Sequence, residues 1–197
     1  MLEQTIDLAG QTAPGGGRLI AVVGPSGAGK DSLISYARDR LAGEPSVLFV
    51  RRVVTRPADP NAEDHASVSL AAFQTSRAAG AFAVAWQAHG LHYAIPAAVH
   101  DHLASGGVAV VNGSRAALPA IRSAFDQTTT VHITCRPEVL SARLATRGRE
   151  DAAQQQQRLG RATIPSDLRN AVVIDNSGDL VVAGEALLAA ILEAKRG

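Results

Sequence analysis

The sequence predicts an α/β fold, a five-stranded parallel sheet flanked by helices, and three observations predict it. Short apolar runs rich in β-branched residues recur along the chain, helical stretches separate them, and a glycine-rich turn joins the first run to the first of those stretches. Runs that stay apolar without alternation are the pattern of parallel strands covered on both faces.

The runs are Leu19–Val23, Val47–Val54, Val108–Val111, Thr130–Thr134 and Ala171–Ile174. After the first, Leu33, Ala37 and Leu41 share one helical face beside Ile34. Pro137 suits the first turn of a helix carrying Val139, Leu140 and Leu144, and Leu180, Leu187, Leu188 and Ile191 mark an amphipathic closing helix. Between Thr55 and Pro96 the rhythm breaks into a loop rich in Pro, Asp and Asn, a helix over Ser69–Ala79, and two short strands, Phe82–Trp86 and Leu91–Ile95, around His89-Gly90. We read residues 55–96 as an inserted, small acceptor-binding subdomain. Residues 147–164 are polar and suit a helical lid, although Gln154–Gln157 equally suit a solvated helix face. Residues 1–18, ending near Ala13-Pro14-Gly15-Gly16-Gly17, read as a flexible leader to a domain spanning 19–197.

Composition narrows the function classes. Hydrophobic residues make up 46% of the chain and charged ones 19%, the range of a globular domain. The net charge is only +1 and the arginines are scattered among acidic residues, which argues against a nucleic-acid footprint. No apolar stretch approaches the roughly 20 residues that span a bilayer, so no membrane partner is expected. The one cysteine, Cys135, has no internal partner, and Met1–Gly17 has neither a basic start nor a long apolar run. The expected setting is the cytoplasm and the expected partners are small molecules, with a homodimer left open.

The chemistry concentrates at Gly24-Pro25-Ser26-Gly27-Ala28-Gly29-Lys30, which has the spacing of a phosphate-binding P-loop and the fold-level context of a P-loop NTPase: a buried strand before it, an amphipathic helix after it. Such a loop must wrap backbone N–H groups around phosphate oxygens, and glycine permits the approach. The following helix adds its unpaired N-terminal donors, and the Lys30 ammonium reaches the β and γ phosphates. The motif ordinarily continues with a hydroxyl residue that binds magnesium, whereas here Asp31 and then Ser32 follow. A carboxylate about 4 Å from a triphosphate is repelled by roughly 1 to 4 kcal/mol unless a cation lies between them. Asp31, with Ser32, is therefore a candidate magnesium contact for Mg2+-ATP; a first-turn acid that merely complements the helix dipole is the alternative. The strand Val108–Val111 ends in Asn112, where an acid often helps hold magnesium, and Asp31 can compensate for that.

Phosphoryl transfer requires positive charge on the transferring group. Arg143, Arg147, Arg149, Arg158 and Arg161 cluster around the expected lid, and Arg143 and Arg147, four apart, fall on one helical face as candidate catalytic residues beside Lys30. For any single one, a solvated helix face is an equally ordinary role. Arg51, Arg52 and Arg56 sit at the end of the second run, at the carboxyl ends of the strands where open α/β sheets bind ligands, and suit an anionic acceptor. The six histidines show no compact metal-ligand spacing. Trp86 and Tyr93 flank the short hairpin as packing residues or pocket walls.

G-P-S-G-A-G-K at Gly24, T-R-P at Thr55, E-D-H at Glu63, V-S at Val68 with Phe73, and H-G-x-x-Y-x-I-P at His89 together resemble the guanylate-kinase superfamily. The variants K-D-S at Lys30, R-R-V-V-T-R-P at Arg51 and V-N-G-S-R at Val111 look most like the ribose 1,5-bisphosphate phosphokinases of bacterial phosphonate breakdown. The resemblance implies transfer of the γ-phosphoryl group of ATP to ribose 1,5-bisphosphate, giving 5-phosphoribosyl 1-diphosphate. It also implies that Gly24 to Asp31 bind ATP, that Arg52, Arg56, Glu63, His65 and Tyr93 serve the acceptor, and that lid arginines near Arg147 stabilise transfer. Guanylate kinases carry a further arginine after T-R-x-P, where this chain reads Ala58-Asp59, and a tyrosine where His65 stands. Both departures weaken a nucleoside monophosphate as acceptor. A guanylate-type kinase and a non-catalytic nucleotide-binding module are the rival readings.

Overall fold

A computed structural model describes residues 16–57, 65–88, 90–146, 168 and 170–196. Glu63, Arg147 and the expected lid at 147–164 lie outside the described residues, as does the leader up to residue 15.

The elements follow in order: β1 Arg18–Val23, α1 Lys30–Arg40, β2 Val47–Phe49, β3 Val53–Val54, β4 Ala66–Ser67, α2 Leu70–Ala78, β5 Phe82–Ala88, β6 Leu91–Pro96, α3 Val99–Ala104, β7 Val108–Asn112, α4 Leu118–Ala124, β8 Thr128–Thr134, α5 Pro137–Thr146, β9 Val172–Asp175 and α6 Leu180–Ala194. They build two sheets, a five-stranded one in the order β2-β7-β1-β8-β9 and a four-stranded one in the order β4-β3-β6-β5. Every neighbouring pair in the first is parallel. This is the α/β architecture that the apolar runs predict.

Successive residues of β1 point to opposite faces of that sheet, and both faces are covered. Ile20 and Val22 pack with Leu33 and Ala37 of α1 and Leu187 and Ile191 of α6. Leu19, Ala21 and Val23 pack with Leu118 and Ile121 of α4 on the other side. The five β1 side chains from Leu19 to Val23 are fully buried, which is why the run does not alternate. Gly17 and Arg18, which the sequence assigns to the leader, already belong to this packed structure: Arg18 opens β1, and the Gly17 amide donates to Leu103 O at 2.7 Å.

The run Val47–Val54 is not one strand. The Val50 amide donates to Val110 O at 2.8 Å, the last bond of the first sheet, and the chain then crosses at Arg51-Arg52 into the second sheet. Both ends of the run are buried at Val47, Val50 and Val54, so hydropathy stays continuous across the break. The closing helix also differs from expectation. Leu180 is exposed at its start, and the face against the core is Ala183, Gly184, Leu187, Ala190 and Ile191. Small residues allow close approach to Tyr36 of α1, a pattern that a search for large apolar side chains overlooks.

In the second sheet β5 and β6 form the expected hairpin, β3 joins β6 antiparallel and β4 joins β3 in parallel. Ser69 caps α2, its Oγ accepting from the Ala72 amide at 3.1 Å. Phe73 of α2 is buried against Phe82 and His92 at ring-centroid distances of 4.9 and 5.4 Å. Val84 and Ile95 point the other way, into the cluster of Val111 and Leu118, and so fasten the small sheet to the large one.

Candidate active site

The turn from β1 to α1 is shaped by what cannot fit there. A Cβ on Gly24 would stand 2.3 Å from Ile133 O of β8, and one on Gly29 would stand 2.3 Å from Asn176 Nδ2, at a backbone φ of 89°. Gly29 precedes the first residue of α1, and no side chain caps the helix. By contrast, α2 and α6 are capped by the side chains of Ser69 and Asp179. The first-turn N–H groups of α1 are therefore not taken up by a capping side chain, and together with the helix dipole they form an anion cradle. Lys30 Nζ donates to Gly24 O at 3.0 Å and Pro25 O at 3.1 Å, which holds the ammonium over the loop.

Asn176, just beyond β9, supports the loop from behind. It is 1% exposed, and its Nδ2 donates to Ala28 O at 2.7 Å. Arg143 of α5 donates to Cys135 Sγ at 3.6 Å, and its guanidinium lies 3.7 Å from where a Gly29 Cβ would be. This places Arg143 at the phosphate loop. At the end of β7, Asn112 Nδ2 donates to Asp31 Oδ1 at 2.5 Å. Asp31 is half-buried and Ser32, the next residue of α1, is exposed. Among the described residues no group of three or more His, Cys, Asp or Glu could by itself hold a metal ion. The oxygens of Asp31, Ser32 and Asn112 nevertheless fit a hard cation that takes most of its ligands from nucleotide phosphates and water.

At the entry to the small sheet, Arg52 is buried at 7% exposure. Its guanidinium carbon lies 5.3 Å from the Tyr93 ring and 5.9 Å from the Trp86 ring. The two rings stack on each other at 5.5 Å and 12°, a platform that holds the guanidinium by cation–π attraction. Arg56 Nη2 lies 3.4 Å from His65 Nδ1, while its Nε is buried and has no hydrogen-bond partner among the described residues. Arg56 also lines a cavity of about 500 Å³ with Thr55, Pro57, Ser67, the start of α2 from Val68 to Leu70, Gly90 and His92.

A family model described as AAA domain matches residues 20–164. The chain is 47% identical over 172 residues to the ribose 1,5-bisphosphate phosphokinase PhnN of Agrobacterium fabrum, covering 86% of this chain and 93% of that one. It is 46% identical to the protein of the same name from a Chelativorans species, covering 90% and 86%. The chain belongs to the ribose 1,5-bisphosphate phosphokinase family. It is an enzyme, a kinase. Its fold matches the crystal structure of guanylate kinase from Anaplasma phagocytophilum with a TM-score of 0.69 at 14% identity, covering 93% of this chain and 88% of that one.

Of the residues singled out in the sequence, the phosphokinase fold brings Gly24 to Asp31 and Arg143 together at the loop, and Arg52 and Tyr93 together on the small sheet. Arg56 and His65 form a separate pair, and of the expected acceptor residues that are described only Arg56 lines the 500 Å³ cavity. Asn176 is the contributor that sequence reasoning missed, and Trp86, left open there as a packing residue or pocket wall, stacks on Tyr93 beside Arg52. The polar pair Asp175-Asn176 after the last β-branched run was the available signal for Asn176, and the aromatic pairing of Trp86 with Tyr93 becomes visible only with the hairpin register.

Proposed function

We propose that the chain transfers the γ-phosphoryl group of Mg2+-ATP to ribose 1,5-bisphosphate, giving 5-phosphoribosyl 1-diphosphate, and that it does so in the cytoplasm. The observation that carries this reading is the 47% identity, over 86% of the chain, to a relative of that name. The uncapped start of α1 and Lys30 bind the β and γ phosphates. Residues 55–96, with Arg52 just before them, hold the acceptor: Arg52 and Arg56 supply fixed, permanently charged forks suited to phosphate oxygens. Glu63, His65 and Tyr93 complete that side.

Magnesium would be held by Asp31 and Ser32, directly or through water, and would neutralise charge developing between the phosphates. The chain's own work is to align donor and acceptor oxygens, to keep water from the transferring group and to offer positive charge to it from Lys30 and Arg143. Arg147 and the segment at 147–164 would add further positive charge to the transferring group.

A panel of acceptors offered with γ-labelled ATP tests the reading. Label should appear in 5-phosphoribosyl 1-diphosphate when ribose 1,5-bisphosphate is supplied. Turnover of guanosine monophosphate without turnover of ribose 1,5-bisphosphate would overturn the choice of acceptor, and nucleotide binding without transfer to any acceptor would overturn the assignment as an enzyme.

A further inference from the structure

Two departures from the common phosphate-loop pattern meet in space. Asp31 stands where a hydroxyl residue is ordinary, and Asn112 stands at the end of β7 where an acid often helps hold magnesium. They are 81 residues apart, yet Asn112 Nδ2 donates to Asp31 Oδ1 at 2.5 Å. Only the amide nitrogen can donate to a carboxylate, so this contact fixes which way the Asn112 amide faces. Asn112 is itself held firmly: it is 7% exposed and pairs in register with Val22, two residues before the loop begins.

We propose that Asn112 is a positioning residue for magnesium, its amide holding one oxygen of Asp31 so that the other is presented to the cation beside the nucleotide. The site then has one carboxylate, as in the common arrangement, but the carboxylate sits on α1 and its support sits on β7. An acid at both places would set two carboxylates within hydrogen-bonding distance, where each disfavours ionisation of the other. An amide removes that conflict and supplies the orienting donor that metal-binding carboxylates depend on. The inference deepens the nucleotide half of the function proposed above and does not depend on which acceptor is used.

The test reads metal and nucleotide binding without turnover. Binding of Mn2+ to the ADP complex is followed by electron paramagnetic resonance, and ADP binding in EDTA by calorimetry. In Asn112→Ala, Mn2+ affinity should fall about 10-fold while ADP affinity in EDTA is unchanged. In Asn112→Asp, which keeps the shape, the protein should melt at a lower temperature without metal and show a larger Mn2+-induced rise than the wild type. Unchanged Mn2+ affinity in Asn112→Ala, or an equal loss of ADP affinity with and without metal, would mean that Asn112 only packs the loop. Should Asn112→Ala not fold, Asn112→Asp carries the decision alone, and a metal-induced rise no larger than that of the wild type overturns the proposal. Failure of the acceptor panel leaves these readouts untouched.

Discussion

The two sheets carry their ligand chemistry in different materials. The large parallel sheet offers backbone: the loop after β1 depends on residues with no side chain, and the start of α1 is left without a capping side chain. Its groups are positioned by strands buried on both faces, so little about them can move. The small sheet offers side chains, the guanidinium groups of Arg52 and Arg56 with Tyr93 and His65, on four short strands covered by one nine-residue helix, α2. A backbone site is common to all that bind a polyphosphate, and a side-chain site can be changed one residue at a time. On the function proposed above, the contrast would account for a generic donor end and a specific acceptor end.

Phe73→Ala should break the contrast most severely, because Phe73 is the buried contact between α2 and the hairpin. A loss of about 3–5 kcal/mol is expected for a buried phenylalanine. Trp86 is the only tryptophan and lies in the small sheet, so its fluorescence should report melting there before far-ultraviolet circular dichroism reports loss of the large sheet. Coincident transitions would show that the two sheets unfold as one.

Lys30→Ala should next lower kcat by about 10²–10³-fold, the scale of losing one electrostatic donor to the transition state. Binding of the acceptor, measured by calorimetry, should survive it. Gly29→Ala forces a Cβ toward Asn176 at a left-handed φ and should destabilise the protein by about 1–3 kcal/mol while removing ATP binding. Arg52→Met should raise the acceptor KM about 10-fold with the KM for ATP unchanged, since hydrogen bonds to charged groups are worth about 1.5–3 kcal/mol. An equal change in both constants would erase the division of labour.

The smallest effect concerns neither site. The hydrogen bond from Lys195 at 2.7 Å, and then those from Ser46, lower the Glu44 carboxyl from its ordinary 4.5 to about 2. A depressed acid stabilises the fold above its unfolded value and loses that contribution as pH falls. Lys195→Met should therefore lower the melting temperature slightly at neutral pH and flatten its fall between about pH 4.5 and 2, so that the two proteins converge at the acid end.

How much could be read in advance follows the same division. Gly24 to Lys30 are legible because backbone requirements restrict residue type position by position. The inner strands of the large sheet, β1, β7 and β8, are legible because they are buried on two faces, and the edge strand β9, with Val172 and Val173 exposed, is legible from its β-branched run alone. The crossing at Arg51-Arg52 is hidden by apolar residues on either side of it. The contact of Asp31 with Asn112 and the support of Ala28 by Asn176 are hidden because each joins residues far apart in the chain. Arg52 reads as one cation among many. Its burial against Trp86 and Tyr93 depends on the register of the β5–β6 hairpin and on the β3–β6 pairing, which no local pattern encodes.

The pairing of Val53 with Ala94 means that the chain enters the small sheet and leaves it on adjacent strands, side by side. A module with neighbouring ends can be exchanged with little disturbance to its host. Replacing the stretch between those two residues is therefore a route by which one phosphate-handling engine could acquire new clients, and a graft that respects this seam is the natural design for retargeting the enzyme.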